Sequence, residues 1–409
     1  MKYLKPISSH RLALALVAIS LTGCVGPVAL ERALPSYDET VSQLQGQSLL
    51  LNIARAQHDM PPHFTSTTSI VATFNFETHA GVAANVPSST AVYPSATLTV
   101  GATAAENPTI ELVPLRGEDF TKQLLTPLSD SQVGLLDTET LPLDLLLRLL
   151  GKAFYFVDSE GRFLRAVRNA PDVPDEYEEY RRIVSHIGQL DSKYQLYFLR
   201  LSFTTTRKVP LPAAPTVSDL LMASEAGFDY KQNDGGPYFE SSAQVIGNQM
   251  ISNFDPLTLD DAERATLNAK ISLTPSDYLD IEVLPGYAGG DYPLQGAIQL
   301  RSFGEVLEFV ARGIAEAPEY DVPIDPRTAA IQGMGAERGV WSKNPAQVLR
   351  IVESKDPPEA GNLNVNYRGS YYSVEQDEWN LAAFRALYSL LQMSSQSSPQ
   401  RAFPITISK

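Results

Sequence analysis

The sequence predicts an α+β protein of two domains, with small mixed or antiparallel sheets, flanking helices and a long N-terminal hairpin. Three observations carry that expectation. Ile70, Ala72, Phe74 and Phe76 alternate with Ser69, Val71, Thr73 and Asn75, the period of a strand, and a similar run answers at 97–103 beyond a Pro/Ser-rich turn. Helix-period runs elsewhere open with capping signals. A helical run followed by a hairpin pattern occurs twice, at 142–168 and 217–247. With 44% hydrophobic residues, the chain has apolar surface for more than one core.

Taken in order, residues 1–23 read as a signal peptide: Lys2, Lys5 and Arg11 precede an apolar run of about ten residues, half the length a membrane-spanning helix needs. Residues 24–35 follow as a tether. Ser36 and Glu39 have capping-box spacing, and Val41, Leu44, Ser48 and Leu51 then mark one face of a helix over 37–57, stopped by Pro61-Pro62. A hairpin spans about 65–113, and Glu77 is the only formally charged residue from 65 to 105. It reads either as two strands of an ordinary sheet with a loose loop, or as a projecting arm that adds to a neighbouring chain.

Helical patterns follow around 120–128 and 141–154, then two short strands turning at about 159–161. Pro174 opens a helix with Asp175, Glu176, Glu178 and Glu179 early and Arg181, Arg182 and His186 later, as the helix dipole favours. Tyr180, Ile183, Ile187 and Leu190 mark its apolar face. A buried strand covers 194–205, and the Pro-rich run at 207–216 reads as a linker between an N-terminal domain (36–206) and a C-terminal domain (217–409).

The second half begins with a helix at 217–226 and a hairpin about 234–236, the second copy of the helix–hairpin order. A strand at 296–300 leads to Ser302 and Glu305, again at capping-box spacing, and to a helix with Val306, Phe309, Val310 and Ile314 inward; Arg301 is expected to pair with an acid. Residues 317–345 read as loop. A hairpin turning at 368–370, a cap at Asp377, a helix with Leu381, Phe384, Tyr388 and Leu391 on one face, and a strand at 401–408 close the chain.

The apolar run of the signal ends on Leu21-Thr22-Gly23-Cys24, which resembles the bacterial lipobox. The resemblance implies cleavage before Cys24, the one cysteine of the chain, and a lipid on its sulfur. Val25, where enterobacterial lipoproteins kept at the inner membrane have Asp, points to outer-membrane attachment facing the periplasm. Loss of Lys2, Lys5 and Arg11 takes the formal charge from −15 to about −18, which excludes nucleic acid as a partner. A lone cysteine also excludes disulfides within the chain and cysteine metal sites.

Four blocks, QSLLLNIARAQHDMPPHF, ENPTIELVPLRGEDFTKQLLTPL, IQLRSFGEVLEFVARG and NVNYRGSYYSVEQDEWNLAAFRALYSLL, resemble a family of uncharacterised bacterial envelope lipoproteins. The resemblance implies location and architecture and brings no activity. The family pattern places a lysine shortly before Phe384, where this chain has Asn380, Leu381, Ala382 and Ala383.

The residues offer little catalytic chemistry. No G-x-S-x-G elbow, H-E-x-x-H or Walker loop occurs. His58 and His63 flank Asp59-Met60-Pro61-Pro62 without an acidic cluster to complete a metal site. Asp260, Asp261 and Glu263, and Glu375, Asp377 and Glu378, stand where helix starts favour acids, so they read as caps before they read as a glycosidase pair. Tyr367, Arg368, Tyr371 and Tyr372, in YRGSYY, form the best local candidate for contact with a sugar or peptide, by stacking and a planar guanidinium fork; cross-strand tyrosine pairing is the plainer account. The expectation is a lipid-anchored envelope protein with a binding, scaffold or assembly role, membrane-attached through Cys24, with envelope proteins or its own copies as partners and no cofactor, metal or catalytic residue assigned. An envelope glycan hydrolase and a carrier of an apolar ligand are the alternatives.

Overall fold

A computed structural model describes residues 25–85, 95–115, 117–136, 141–271, 275–331, 345–359 and 361–395. The signal peptide, Cys24 and the closing strand at 401–408 lie outside them. The chain divides into two compact units, Met1–Leu49 with His63–Leu115, and Leu50–Pro62 with Arg116–Lys409. The fold is α+β.

The first helix, α1 (Val25–Ala56), does not begin at Ser36. The expected tether from Val25 to Pro35 is helical, and Ser36 lies inside the helix, its carbonyl accepting from the Thr40 hydroxyl at 2.7 Å. VALERAL, just ahead of Pro35, is rich in strong helix formers, whose favourable turns offset the lost hydrogen bond and the ring–carbonyl clash of a proline inside the helix. In the smaller unit, β1 (Thr65–Asn85) and β2 (Ser95–Pro114) form a two-stranded antiparallel sheet, in register from Thr65↔Pro114 to Asn85↔Ser95 with one irregularity between Thr67 and Ser69. The long N-terminal hairpin is present as expected.

The larger unit is built on a seven-stranded sheet. Its order is β4 (Phe163–Arg168), β3 (Gly151–Val157), β9 (Leu294–Leu300), β8 (Tyr278–Val283), β7 (Gly236–Ser252) and β5 (Tyr197–Pro210), with β6 (Asp229–Asn233) also on β7. Every pairing is antiparallel except β7 with β8. A second, three-stranded sheet has the order β10 (Ile351–Ser354), β12 (Ser370–Val374), β11 (Asn364–Tyr367).

The expected linker at 207–216 does not separate two sheets. Arg207 to Pro210 are the end of β5, paired with Ser241 to Tyr238 of β7, and strands from both sides of the Pro-rich run share the large sheet. Proline is admissible there because β5 ends the strand order, where a missing N–H breaks no ladder.

The core gathers around α4 (Leu143–Leu150), whose leucines are buried on every side. A helix apolar all round must be enclosed, and α5 (Pro174–Ser192) and α10 (Glu378–Ser395) pack on it. α5 buries Tyr177, Tyr180, Ile183, Val184, Ile187 and Leu190. The inward face of α10 is rotated from the expected one: Trp379, Ala382, Ala383, Ala386, Leu387 and Leu390 are buried with Phe384, and Leu381 is 43% exposed. Trp379 sets that rotation by donating its Nε1–H to the Val348 carbonyl at 3.0 Å, and the alanines let the helix lie close. In α8 (Phe303–Ala315), Val306 and Val310 are inward as expected, joined by Phe303, Leu307 and Ala311. Phe309 instead lies under the Arg301 guanidinium, 3.8 Å away.

Candidate functional site

The YRGSYY motif lies on the three-stranded sheet. Arg368 and Gly369, at φ 51° and 83°, make the two-residue turn from β11 to β12, a turn type whose twist matches that of the strands. Register places Tyr367 opposite Ser370, and Tyr372 between Val365 and Glu353, so these residues share one face. Tyr371, opposite Asn366 and Ser354, belongs to the other face. Tyr367, Arg368, Tyr371 and Tyr372 therefore do not form one contact surface, since side chains alternate along a strand. The tyrosines do not pair across strands either.

The end of α1 meets the first face. Asp59 turns the chain at φ 55°, and the Met60 N–H returns to the Arg55 carbonyl at 2.9 Å, ending the helix before Pro61 is reached. His58 is thereby set with Nε2 3.2 Å from the Tyr372 hydroxyl and its ring 5.7 Å from the ring of Tyr367. The Gln57 side-chain amide donates to Glu353 at 3.2 Å. Burial and the Glu353 carboxylate push the Tyr372 phenol up to about 12, so it stays protonated. The buried Ser370 hydroxyl, which accepts from Lys355 at 2.8 Å, holds the Glu353 carboxyl below the usual carboxylate range. His58, Tyr372, Glu353 and Gln57 thus engage one another and tie the loop to the sheet. Tyr367 is half-buried, and the exposed Arg368 stands 5.5 Å from its ring. Sequence reading missed Glu353, Lys355 and the Tyr372 partner of His58, because a contact 314 residues apart leaves no local signal.

Two grooves flank other parts of the unit. Residues 56–62, α2 (Glu118–Leu125) and α8 enclose about 640 Å³, lined by Met60, Leu124, Leu125 and Leu307 together with Glu308 and Arg312. Arg312 is itself held by Asp172 at 3.0 Å. A more open groove of about 610 Å³ runs along α6 (Val217–Glu225), lined by Leu211, Pro212, Met222, Phe228 and Phe239 among others. α6 buries none of its residues, and Val217, Leu221 and Met222 are exposed.

The carboxylate groups are at helix starts. Asp260 and Glu263 cap each other's backbone N–H at 2.8 and 2.9 Å, and Asp261 accepts from the Thr204 N–H at 3.1 Å and pairs with Arg264. Asp377 accepts from the Asn380 N–H at 2.8 Å, and Glu375 pairs with Arg350 at 3.3 Å.

A second convergence of titratable groups is buried. Glu319, in the expected loop, accepts from Tyr177 at 3.1 Å, Arg181 at 3.3 Å, Arg148 at 3.4 Å and the Val348 N–H at 2.6 Å. Arg301 does not pair with an acid: its guanidinium donates to the carbonyls of Arg148, Leu149 and Asn169 at 3.3, 3.0 and 2.8 Å. Two of these belong to the last turn of α4, where a cation complements the helix dipole. Burial still pushes Arg301 down to about 10. These groups bond to one another and to backbone carbonyls, and so hold α4, α5 and the 345–348 segment together.

Compared with protein-family models, with curated proteins and with solved structures, the chain matches none. No helix among the described residues is long and apolar enough to cross a membrane.

Proposed function

We propose that the chain is a lipoprotein of the bacterial envelope, anchored in the outer membrane through Cys24 and facing the periplasm, and that it works by assembly, with the β1–β2 hairpin as the element that joins copies. The hairpin carries this reading. It is a sheet of two strands only, and among the described residues neither outer edge has a partner. Two-stranded sheets are marginal in water, and unguarded edges are templates for further strands. Its near-uncharged sequence, in a chain of about −18, is where copies approach with least repulsion. The exposed apolar residues of α6 are a further surface of the kind assembly uses.

The test starts from Cys24→Ser, which loses incorporated fatty acid and supplies a soluble form. Light scattering on this form should show an oligomer. Replacing residues 78–95 by a short Gly-containing turn should leave the circular dichroism of the remainder and reduce the mass to a monomer. A monomeric parent whose mass and captured envelope proteins are unchanged by the deletion sinks the reading.

A further inference from the structure

The register of the hairpin sorts its sequence by face. Beyond the irregularity at 67–69, even-numbered residues of β1 lie opposite even-numbered residues of β2. One face therefore takes Phe76, Ala80, Val82 and Ala84 from β1. From β2 it takes Ala96, Leu98, Val100 and Ala104, with Thr78 the one polar residue over this stretch. The other face takes Glu77, His79 and Asn85, opposite Thr103, Gly101 and Ser95, with Thr97 and Thr99 between. One face is apolar, and the other carries Glu77, His79, Thr97, Thr99 and Thr103 with only the small Gly81, Ala83 and Gly101 between them. This stretch is 76–84 paired with 96–104, nine residues in each strand, and a β-strand crosses a hydrocarbon core in about nine to eleven. Next on that apolar face Phe74 pairs with Glu106, so aromatic residues and a charge bound this stretch before the face continues with Ala72, Ile70, Pro108 and Ile110; aromatic residues likewise bound the lipid-facing band of a transmembrane strand.

We propose that the β1–β2 hairpin inserts into a bilayer, its Phe76–Val82–Leu98 face against lipid and its Glu77–Thr99 face lining an aqueous lumen, in a barrel closed by copies of this chain. This rests on the self-association proposed above. Closure follows from the backbone. A hairpin alone in hydrocarbon leaves two rows of N–H and C=O groups unpaired, at several kcal/mol each, and only a closed barrel removes them. Each copy adds two strands, so the strand number is even. Attachment by lipid at Cys24 keeps the copies at the membrane surface that they enter, which raises their effective concentration.

The test uses the full lipidated chain in phosphatidylcholine vesicles, with acyl chains either plain or brominated. Val82 and Thr99 are one register step apart and on opposite faces. Val82→Trp should be quenched by the brominated acyl chains and Thr99→Trp should not, with the chain's own Trp341 and Trp379 as the common background. The parent should release an entrapped dye. Val82→Lys should release it about tenfold more slowly or worse, since a lysine facing lipid near the midplane is strongly unfavourable, whereas Thr99→Lys should keep release and turn ion selectivity towards anions. Equal quenching at the two positions, or oligomers on vesicles that release no dye, overturns the barrel and leaves the assembly reading standing. Failure of that earlier reading registers separately, as an unchanged mass in the soluble deletion experiment.

Discussion

His186 is neutral because of what encloses it. Its Nε2–H donates to the Gly289 carbonyl at 3.0 Å, so Nδ1 accepts from the Thr328 hydroxyl at 2.8 Å, and Tyr292 covers the ring. Burial is the main cause that pushes the imidazole from 6.5 down to about 4; nearby Arg327 adds to it, and the Gly289 bond and Asp325 oppose it. The unfolded chain takes up the proton near 6.5 and the native chain only near 4, so stability present above 6.5 falls as the pH drops through that window. The loss is at most about 3 kcal/mol. Urea unfolding at pH 7.5 and 4.5 should show a larger loss for the parent than for His186→Gln; equal losses would refute the assignment. The sequence placed His186 and Arg181 among basic residues favoured late in a helix. None of them reaches the last turn, and Arg182, at mid-helix, pairs with Glu178 at 2.7 Å instead. Arg181 and His186 point inward, and their partners, Glu319 and Thr328, come from what reads locally as plain loop.

Two segments of this chain have the same S-x-x-E spacing, and only one uses it as a cap. At Ser302 the chain arrives extended from β9, its φ and ψ −72° and 163°, and Arg301 fixes the approach through its buried guanidinium. The Ser302 hydroxyl then accepts from the Glu305 N–H at 3.1 Å while Glu305 accepts from the Ser302 N–H at 2.8 Å. Ser36 follows residues that are already helical, so no free helix end exists for it to cap. Ser302→Ala should cost about 1 kcal/mol in chemical unfolding, whereas Ser36→Ala should change stability by less than about 0.5 kcal/mol. A comparable cost at both positions would mean that α1 begins at Ser36 after all. Capping chemistry is legible in sequence wherever a strand or turn precedes the cap, as at Asp377. It misleads where good helix formers precede it. The rotation of α10 was illegible for another reason: periodicity ranks large apolar residues, whereas the helix is seated by alanines and one tryptophan hydrogen bond.

At the scale of the whole molecule, strand and helix types were legible along most of the chain, since alternation and helical periodicity are local. The partition of the larger unit was not. Proline density marks a linker only if the strands on either side belong to different sheets, and pairing between strands far apart in sequence has no local signature. β3 joins β9 through pairs such as Phe154↔Ile298, and β5 joins β7 along nearly its full length, so each side of the Pro-rich run supplies strands the other side must pair with. Neither side keeps the core alone: the leucines of α4 and the α5 face lie before the run, and α8 and α10 after it. A protease site placed at 211–216, in the exposed stretch after β5, should therefore yield two fragments that stay together. They should co-elute in gel filtration under native conditions, separate only in denaturant, and unfold in one transition at the midpoint of the uncut larger unit or slightly below it. A nick costs little beyond the closure entropy of one loop, which grows slowly with loop length. Fragments that elute apart, each with its own cooperative transition, would restore the two-domain division at 207–216 and contradict the single sheet.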